Sequence, residues 1–144
     1  MVALKPGPIP KQGLPVKEKK RRPIEGPLSR VEYEEAVIKR QMGIGAKKLR
    51  CPVSGELLSR GEIHVHHPYE KWRLRRDGLY HLVFDPRNGL AVWIGVHTAH
   101  HSGVGEKIPR EVLEDCHYEF AAELGEQAIH LVEKAHPAKG SPTR

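Results

Sequence analysis

Seven of the chain's ten histidines fall between His64 and His101, and their arrangement restricts the fold more than any other feature. The pair His66-His67 closes a segment from Gly61 that alternates: Ile63 and Val65 point one way, Glu62, His64 and His66 the other. A period of two marks a strand, and Pro68 ends it. From His97 the pattern His97-Thr98-Ala99-His100-His101 is helical. His97 and His101, four apart, then share a helix face, with Cβ atoms about 5–6 Å apart. Between these ends, Asp85-Pro86-Arg87-Asn88-Gly89 has the composition of a turn, and Leu90 to Ile94 reads as a second strand. The order is strand, loop, turn, strand, helix, with imidazoles at both ends. Imidazole is the commonest metal ligand and carries protons near neutral pH. The cluster therefore predicts a metal site with an acid–base group beside it. Adjacent strand residues face opposite ways, so one of His66 and His67 reaches the ion and the other is left as a base.

The flanking chain supplies the scaffold. Ser29 caps a predicted helix running to about Met42, with Glu32, Glu34 and Glu35 near its start and Lys39 and Arg40 near its end, as the helix dipole favours. Val31, Ala36, Val37 and Ile38 form its weak apolar stripe, and Gly43 and Gly45 stop it. Cys51-Pro52-Val53-Ser54-Gly55 has the outline of a zinc knuckle, but Ser54 stands where a second cysteine would be. A tight turn without metal is expected there. Lys71, Arg73, Arg75 and Arg76, interleaved with Trp72 and Leu74, read as a basic loop that could touch a DNA backbone or simply face solvent. Pro109 suits the first position of a helix. An amphipathic pattern of Leu113, Cys116, Phe120, Leu124, Ala128 and Leu131 then predicts one long helix to about Ala135, weakened by about 1 kcal/mol at Gly125. His117 and His130 on it are expected to be structural or exposed. His136-Pro137 opens a loose tail, 137–144.

At 144 residues the chain holds one small domain with room for flexible ends. The predicted class is α+β, with the domain at 29–136. The net charge of +6 is not spread over the fold: residues 1–30 hold eight Lys/Arg and two Glu, and the remainder balances. Residues 1–28, with six of the twelve prolines, read as a basic, proline-rich flexible arm. Its run of Lys19, Lys20, Arg21 and Arg22 could lie on nucleic-acid phosphates, a contact set by charge alone. No apolar run suits a membrane span and no secretory leader is visible. Two cysteines, Cys51 and Cys116, make no disulfide framework. A cytoplasmic, non-membrane protein is the expectation.

The set His66-His67-Pro68, Asp85 to Leu90, His97 and His101 resembles the HNH endonucleases, which share a ββα-metal fold with the colicin DNases. In colicin-type members the Asn and the first helix histidine are nine apart and the two helix histidines four apart, as Asn88, His97 and His101 are here. The resemblance spans about residues 50–103. It implies that His66, His97 and His101 hold one divalent metal ion and that His67 is the general base. It implies that Asn88 braces the loop and orients that base. The metal would act as a Lewis acid on the scissile phosphate and stabilise the leaving 3′ oxygen, giving 5′-phosphate and 3′-hydroxyl ends. Arg60, six residues before His66, would contact phosphate. His100 competes with His101 as a ligand, and the family spacing favours His101. His64 is expected to be exposed or structural, at most flanking the site, and His81 has a weaker claim.

Many phage and bacterial HNH proteins carry two Cys-x-x-Cys pairs around a structural zinc. The equivalent places here are Cys51/Ser54 and Trp93/Val96, so that zinc is expected to be absent and replaced by apolar packing. Three imidazoles suit Zn2+, Ni2+ or Mn2+ better than Mg2+, although Mg2+ is abundant in cells. DNA is the implied partner. Stand-alone proteins of this type often lie near phage packaging genes, so packaging machinery is a second implied partner. Two other readings stand beside the nuclease: a nucleic-acid-binding module that keeps metal without chemistry, and a histidine-rich metallohydrolase acting on other substrates.

Overall fold

The computed structural model describes residues 23–140. Lys19, Lys20, Arg21 and Arg22 lie outside the described residues.

Helix α1 (Arg30–Met42) starts as expected. The Ser29 hydroxyl accepts the Glu32 N–H while the Glu32 carboxylate accepts the Ser29 N–H, and Gly43 ends the helix at φ +77°. Its buried stripe is Tyr33, Val37 and Ile38; Val31, expected to belong, lies in the first turn two residues after the Ser29 cap and is exposed. After α1, β1 (Leu49–Arg50) and β2 (Leu57–Leu58) form a short antiparallel hairpin. The Cys51 sulfur accepts N–H groups from Ser54 (3.3 Å) and Trp93 (3.4 Å), and Val53 and Val96 pack on the adjoining core, whereas the Trp93 side chain, expected to pack there with Val96, is exposed. This is the knuckle's outline with apolar filling.

Strand β3 (Ile63–His66) pairs antiparallel with β4 (Leu90–Trp93), in register from Ile63 opposite Trp93 to His66 opposite Leu90. Leu90, Ala91 and Val92 are buried against α1 and the hairpin. Gly89 lets the chain enter β4, since a Cβ there would lie 2.5 Å from Val37 and 2.8 Å from the Tyr33 hydroxyl. Helix α3 (Ile94–Ser102) follows β4 without a loop and returns across β3. It carries His97, His100 and His101.

Between β3 and β4 the expected basic loop is instead a short helix, α2 (Lys71–Arg76). Leu74 is its one fully buried anchor, too sparse a pattern to show helical period in sequence. The expected long C-terminal helix is also corrected. Pro109 is followed by a 3₁₀ turn (Arg110–Val112) and an extended Leu113. Two separate helices come next, α4 (Asp115–Leu124) and α5 (Glu126–Ala135), broken at Gly125 with φ +119°. A residue with that φ cannot continue a helix, and glycine alone adopts it cheaply. Phe120, Ala121, Ala128 and Val132 still bury in one cluster with Tyr69, Leu74 and Val83.

The ends are tied more firmly than composition suggested. Glu25 pairs with Arg75 at 2.6 Å and the Gly26 N–H reaches the Tyr80 carbonyl, so residues 23–28 dock on the domain. At the other end the Arg110 N–H donates to the Pro137 carbonyl and the Lys139 N–H to Glu111. The tail expected from His136 onward is therefore anchored at least to Lys139. The class is α+β, as expected: helices around two small antiparallel sheets. No helix among the described residues is long and apolar enough to cross a membrane.

Candidate metal centre

The alternation along β3 puts His64 and His66 on the face toward α3, and one residue later His67 turns away. His66 is buried and its ring lies 5.5 Å from that of His97, 4.7 Å from His100 and 5.6 Å from His101. His97 and His101, one turn apart, have ring centres 4.7 Å apart. A fifth ring, His136, stands 5.1 Å from His66 and is also buried. The sequence-predicted set His66, His97 and His101 is thus brought together. So is a second set, His66, His100 and His136, which sequence reasoning missed. Either cluster could hold a metal ion.

The proton positions separate the two sets. The Ile108 N–H donates to His100 Nδ1 at 2.8 Å. A neutral imidazole so used carries its own proton on Nε2 and has no lone pair left for an ion. His136 Nδ1 faces the Val132 carbonyl at 2.6 Å, and a carbonyl only accepts, so that nitrogen bears the proton. Nε2 of His136 is then a lone pair, 2.8 Å from His66 Nε2. His66 Nδ1 is a buried polar atom with no hydrogen-bond partner. An orphaned buried imidazole nitrogen is costly unless something coordinates it, and it fits an ion. His97 meets His64, Nδ1 to Nδ1, at 3.2 Å; when His97 supplies that proton, its Nε2 is free to ligate. His64, expected to be exposed or structural, is exposed and flanks the site through His97. His81 and His130 are exposed.

Burial differs too. His66, His100 and His136 are all buried, whereas His97 is half-buried and His101 exposed. Only the set of His66, His97 and His101 opens toward solvent. Burial, with the neighbouring His136 and His100, holds His66 well below the ordinary histidine range. Burial likewise pushes His97 down to about 4, His136 to about 4 and His100 to about 3. These rings are neutral at pH 7, the form that binds metal.

His67 is held apart from the cluster. It stacks on Tyr33, ring centres 5.1 Å apart, and Nε2 faces the Val83 carbonyl at 2.9 Å. Nε2 therefore carries the proton and Nδ1 the lone pair. Burial lowers its pKa to about 4, against the Val83 carbonyl, which favours the charged form. His67 lines a cleft of about 160 Å³ together with His64, His97, Arg30, Glu34 and Lys71.

Asn88 is buried and clasps the backbone of Tyr69: its Oδ1 accepts the Tyr69 N–H and its amide donates to the Tyr69 carbonyl, each at 2.9 Å. Asn88 braces the loop just after His67; the His67 ring itself is oriented by Val83 and Tyr33. Arg60 is bonded to Glu34 (2.9 Å) and Glu35 (3.2 Å) of α1, so its charge is directed at these carboxylates. The cations lining the cleft among the described residues are Arg30 and Lys71. Burial beside Arg75 and Arg30 lowers the Lys71 pKa. His117 is structural: Nδ1 accepts the Glu114 N–H and Nε2 donates to the Gly89 carbonyl, both at 2.8 Å. The nearby group of Glu114, Cys116 and His117 therefore has no histidine lone pair to offer an ion.

In comparisons with protein-family models, curated proteins and solved structures, nothing matches this chain. The functional reading rests on the site.

Proposed function

We propose that this chain is a metal-dependent endonuclease that hydrolyses DNA phosphodiester bonds and leaves 5′-phosphate and 3′-hydroxyl ends. One observation carries the reading: a half-buried neutral imidazole, His67, lines the same cleft as His97, beside a three-histidine cluster that is open on one side. In this reading β3, β4 and α3 are the ββα-metal core, and His66, His97 and His101 hold the ion. A divalent ion bound there supplies Lewis-acid stabilisation of charge on the scissile phosphate and the leaving oxygen. Ligand softness favours Zn2+, Ni2+ or Mn2+, with Mg2+ as the abundant alternative.

The chain's own groups supply the rest. His67 takes the proton from the attacking water at Nδ1, because Nε2 is committed to the Val83 carbonyl. Stacking on Tyr33 and the Asn88 clasp two residues on hold that nitrogen in place, so orientation costs nothing at the moment of reaction. Lys71 at the cleft wall attracts the phosphate; Glu34 opposes, but its two oxygens are occupied by Arg30 and Arg60. The proline-rich arm adds sequence-independent attraction to the backbone.

The test is supercoiled plasmid incubated with purified protein and each of Mg2+, Mn2+, Ni2+ and Zn2+, alongside the His67→Ala variant. Nicking or linearisation by the wild type, reduced at least about 100-fold in the variant, is expected. Intact plasmid under every ion, with metal and DNA both bound, would leave a non-catalytic nucleic-acid-binding module.

A further inference from the structure

Two buried histidines of the cluster, His100 and His136, are used by neither the metal set nor the general base; His100 is committed to the Ile108 N–H, and His136 touches the His66 ring nitrogen. We infer that His136 is a positioning residue: it accepts the Nε2–H of His66 and so fixes His66 in the tautomer whose Nδ1 lone pair faces the ion. This rests on the reading of His66 as a ligand. The geometry forms a directed chain. The Val132 carbonyl accepts the His136 Nδ1–H at 2.6 Å. His136 Nε2, left as a lone pair, lies 2.8 Å from His66 Nε2. The contact is a hydrogen bond only if His66 supplies the proton. The other His66 nitrogen, Nδ1, is then a lone pair, and it is the one buried side-chain nitrogen or oxygen without a hydrogen-bond partner among the described residues.

Metal-bound histidines generally donate their second N–H to a carbonyl or carboxylate, which sets the tautomer and the ring angle. Here an imidazole stands between ligand and carbonyl. His136 is itself held: Arg110 donates to its carbonyl at 3.1 Å and to that of Glu133 at 2.9 Å, and the Arg110 N–H donates to Pro137. The 3₁₀ turn at Arg110 thus clamps the end of α5 against the site, and the ligand on β3 is aimed from 70 residues away. His136 is fully buried, so no water replaces it as acceptor.

Two measurements on the full chain test this. Long-range ¹H–¹⁵N spectra of the wild-type apoprotein should show His136 protonated at Nδ1 and His66 at Nε2. The reverse assignment at either ring overturns the proposal. Second, Ni2+ affinity by calorimetry and the number of bound imidazoles by X-ray absorption should be compared among wild type, His136→Phe and His136→Gln. His136→Phe keeps the ring volume but has no acceptor, and should bind about 10–100-fold more weakly. His136→Gln offers an amide oxygen and should recover part of that loss. All three should show three imidazoles at saturation. Unchanged affinity in a folded His136→Phe, or loss of an imidazole in His136→Gln, refutes positioning; the second result makes His136 a ligand. Should His136→Phe fail to fold, the tautomer spectra and the imidazole count in His136→Gln still decide. None of these readouts requires cleavage, so an inactive protein with these properties would sink the nuclease reading alone.

Discussion

The side chain of Asn88 and the main chain of Tyr69 form a closed two-bond pair, N–H to Oδ1 and amide to carbonyl, each 2.9 Å and buried. This pair, with the Tyr33 hydroxyl donating to the Asn88 carbonyl at 2.7 Å, fastens the end of β3 to the start of β4 and fixes where His67 stands. Asn88→Ala leaves a buried donor and a buried acceptor of Tyr69 unpaired, at about 1–3 kcal/mol each. We expect a loss of about 2–4 kcal/mol in urea unfolding, and cleavage reduced beyond what the unfolded fraction explains. A variant within 0.5 kcal/mol of wild type, to an order of magnitude the scatter of neutral surface changes, would show the clasp to be incidental.

The helix histidines should separate stability from metal binding. His101 is exposed, so His101→Ala should melt like wild type yet lose the ion. His100 is buried and accepts the Ile108 N–H. His100→Ala should cost about 1–3 kcal/mol for the unpaired donor, and more for the cavity, while metal affinity survives. Calorimetric titration and thermal melts on both variants check this; metal lost in His100→Ala and kept in His101→Ala would reverse the assignment.

These two residues also show what the sequence could carry. The strand alternation survives folding over Ile63–His66, while Gly61 and Glu62, expected in the same strand, form a 3₁₀ turn instead; the i, i+4 histidines of α3 are a local periodicity that also survives. The helix break at Gly125 was visible only as a weak residue, since composition does not reveal a φ of +119°. His136 itself reads as the start of a tail, because proline and polar residues follow it. Its burial depends on Arg110 gripping the last turn, a tertiary contact with no periodic trace. A histidine four after Val132 on an amphipathic face is its sole trace in the sequence, and that alone does not distinguish a buried ring from an exposed one.

Charge at the cleft gives a third expectation. Lys71→Ala should weaken DNA binding and lower the slope of log K against log salt by about one. Arg60→Ala should chiefly release α1 carboxylates and change stability by less than about 1 kcal/mol, as exposed pairs do. Removing residues 1–22, which carry seven Lys/Arg, should flatten the slope further, by up to about 6. Filter binding across salt checks all three; an unchanged slope in the truncated chain would make the arm a simple solubilising tail.

Acid should destabilise the apoprotein in a defined window. His67, His97 and His136 are pushed down to about 4, and His100 to about 3, each chiefly by burial. An unfolded histidine titrates near about 6.5. Above that pH these rings are neutral in both states and their contribution to stability is complete. As pH falls from about 6.5 toward 4 the unfolded chain takes up protons that the fold refuses, and each such proton removes about 1.4 kcal/mol per pH unit. The loss levels off below the folded-state values. Melts from pH 7.5 to 4 should show a slope of more than one proton; a flat profile between 7 and 5 would mean the rings are not buried as described.

His67→Ala tests the chemistry most directly. An unperturbed histidine, near about 6.5, would begin to lose its function as a base below about pH 6. Burial moves the His67 value to about 4, so the base stays deprotonated well below that, and the acid limb should be set by competition between protons and metal at the ligands. A lower pKa makes a weaker base but one wholly in its active form. Its loss should still cost about 100–10,000-fold in rate. His67 faces away from the three-histidine cluster and bonds Val83, so the alanine variant should bind metal and DNA as the wild type does, with modest destabilisation from the lost stacking on Tyr33. Plasmid nicking and metal calorimetry on the same sample decide between roles. Retained cleavage would remove His67 as the base. Lost metal would make it a ligand and pass the proton-accepting role to another imidazole of the cleft.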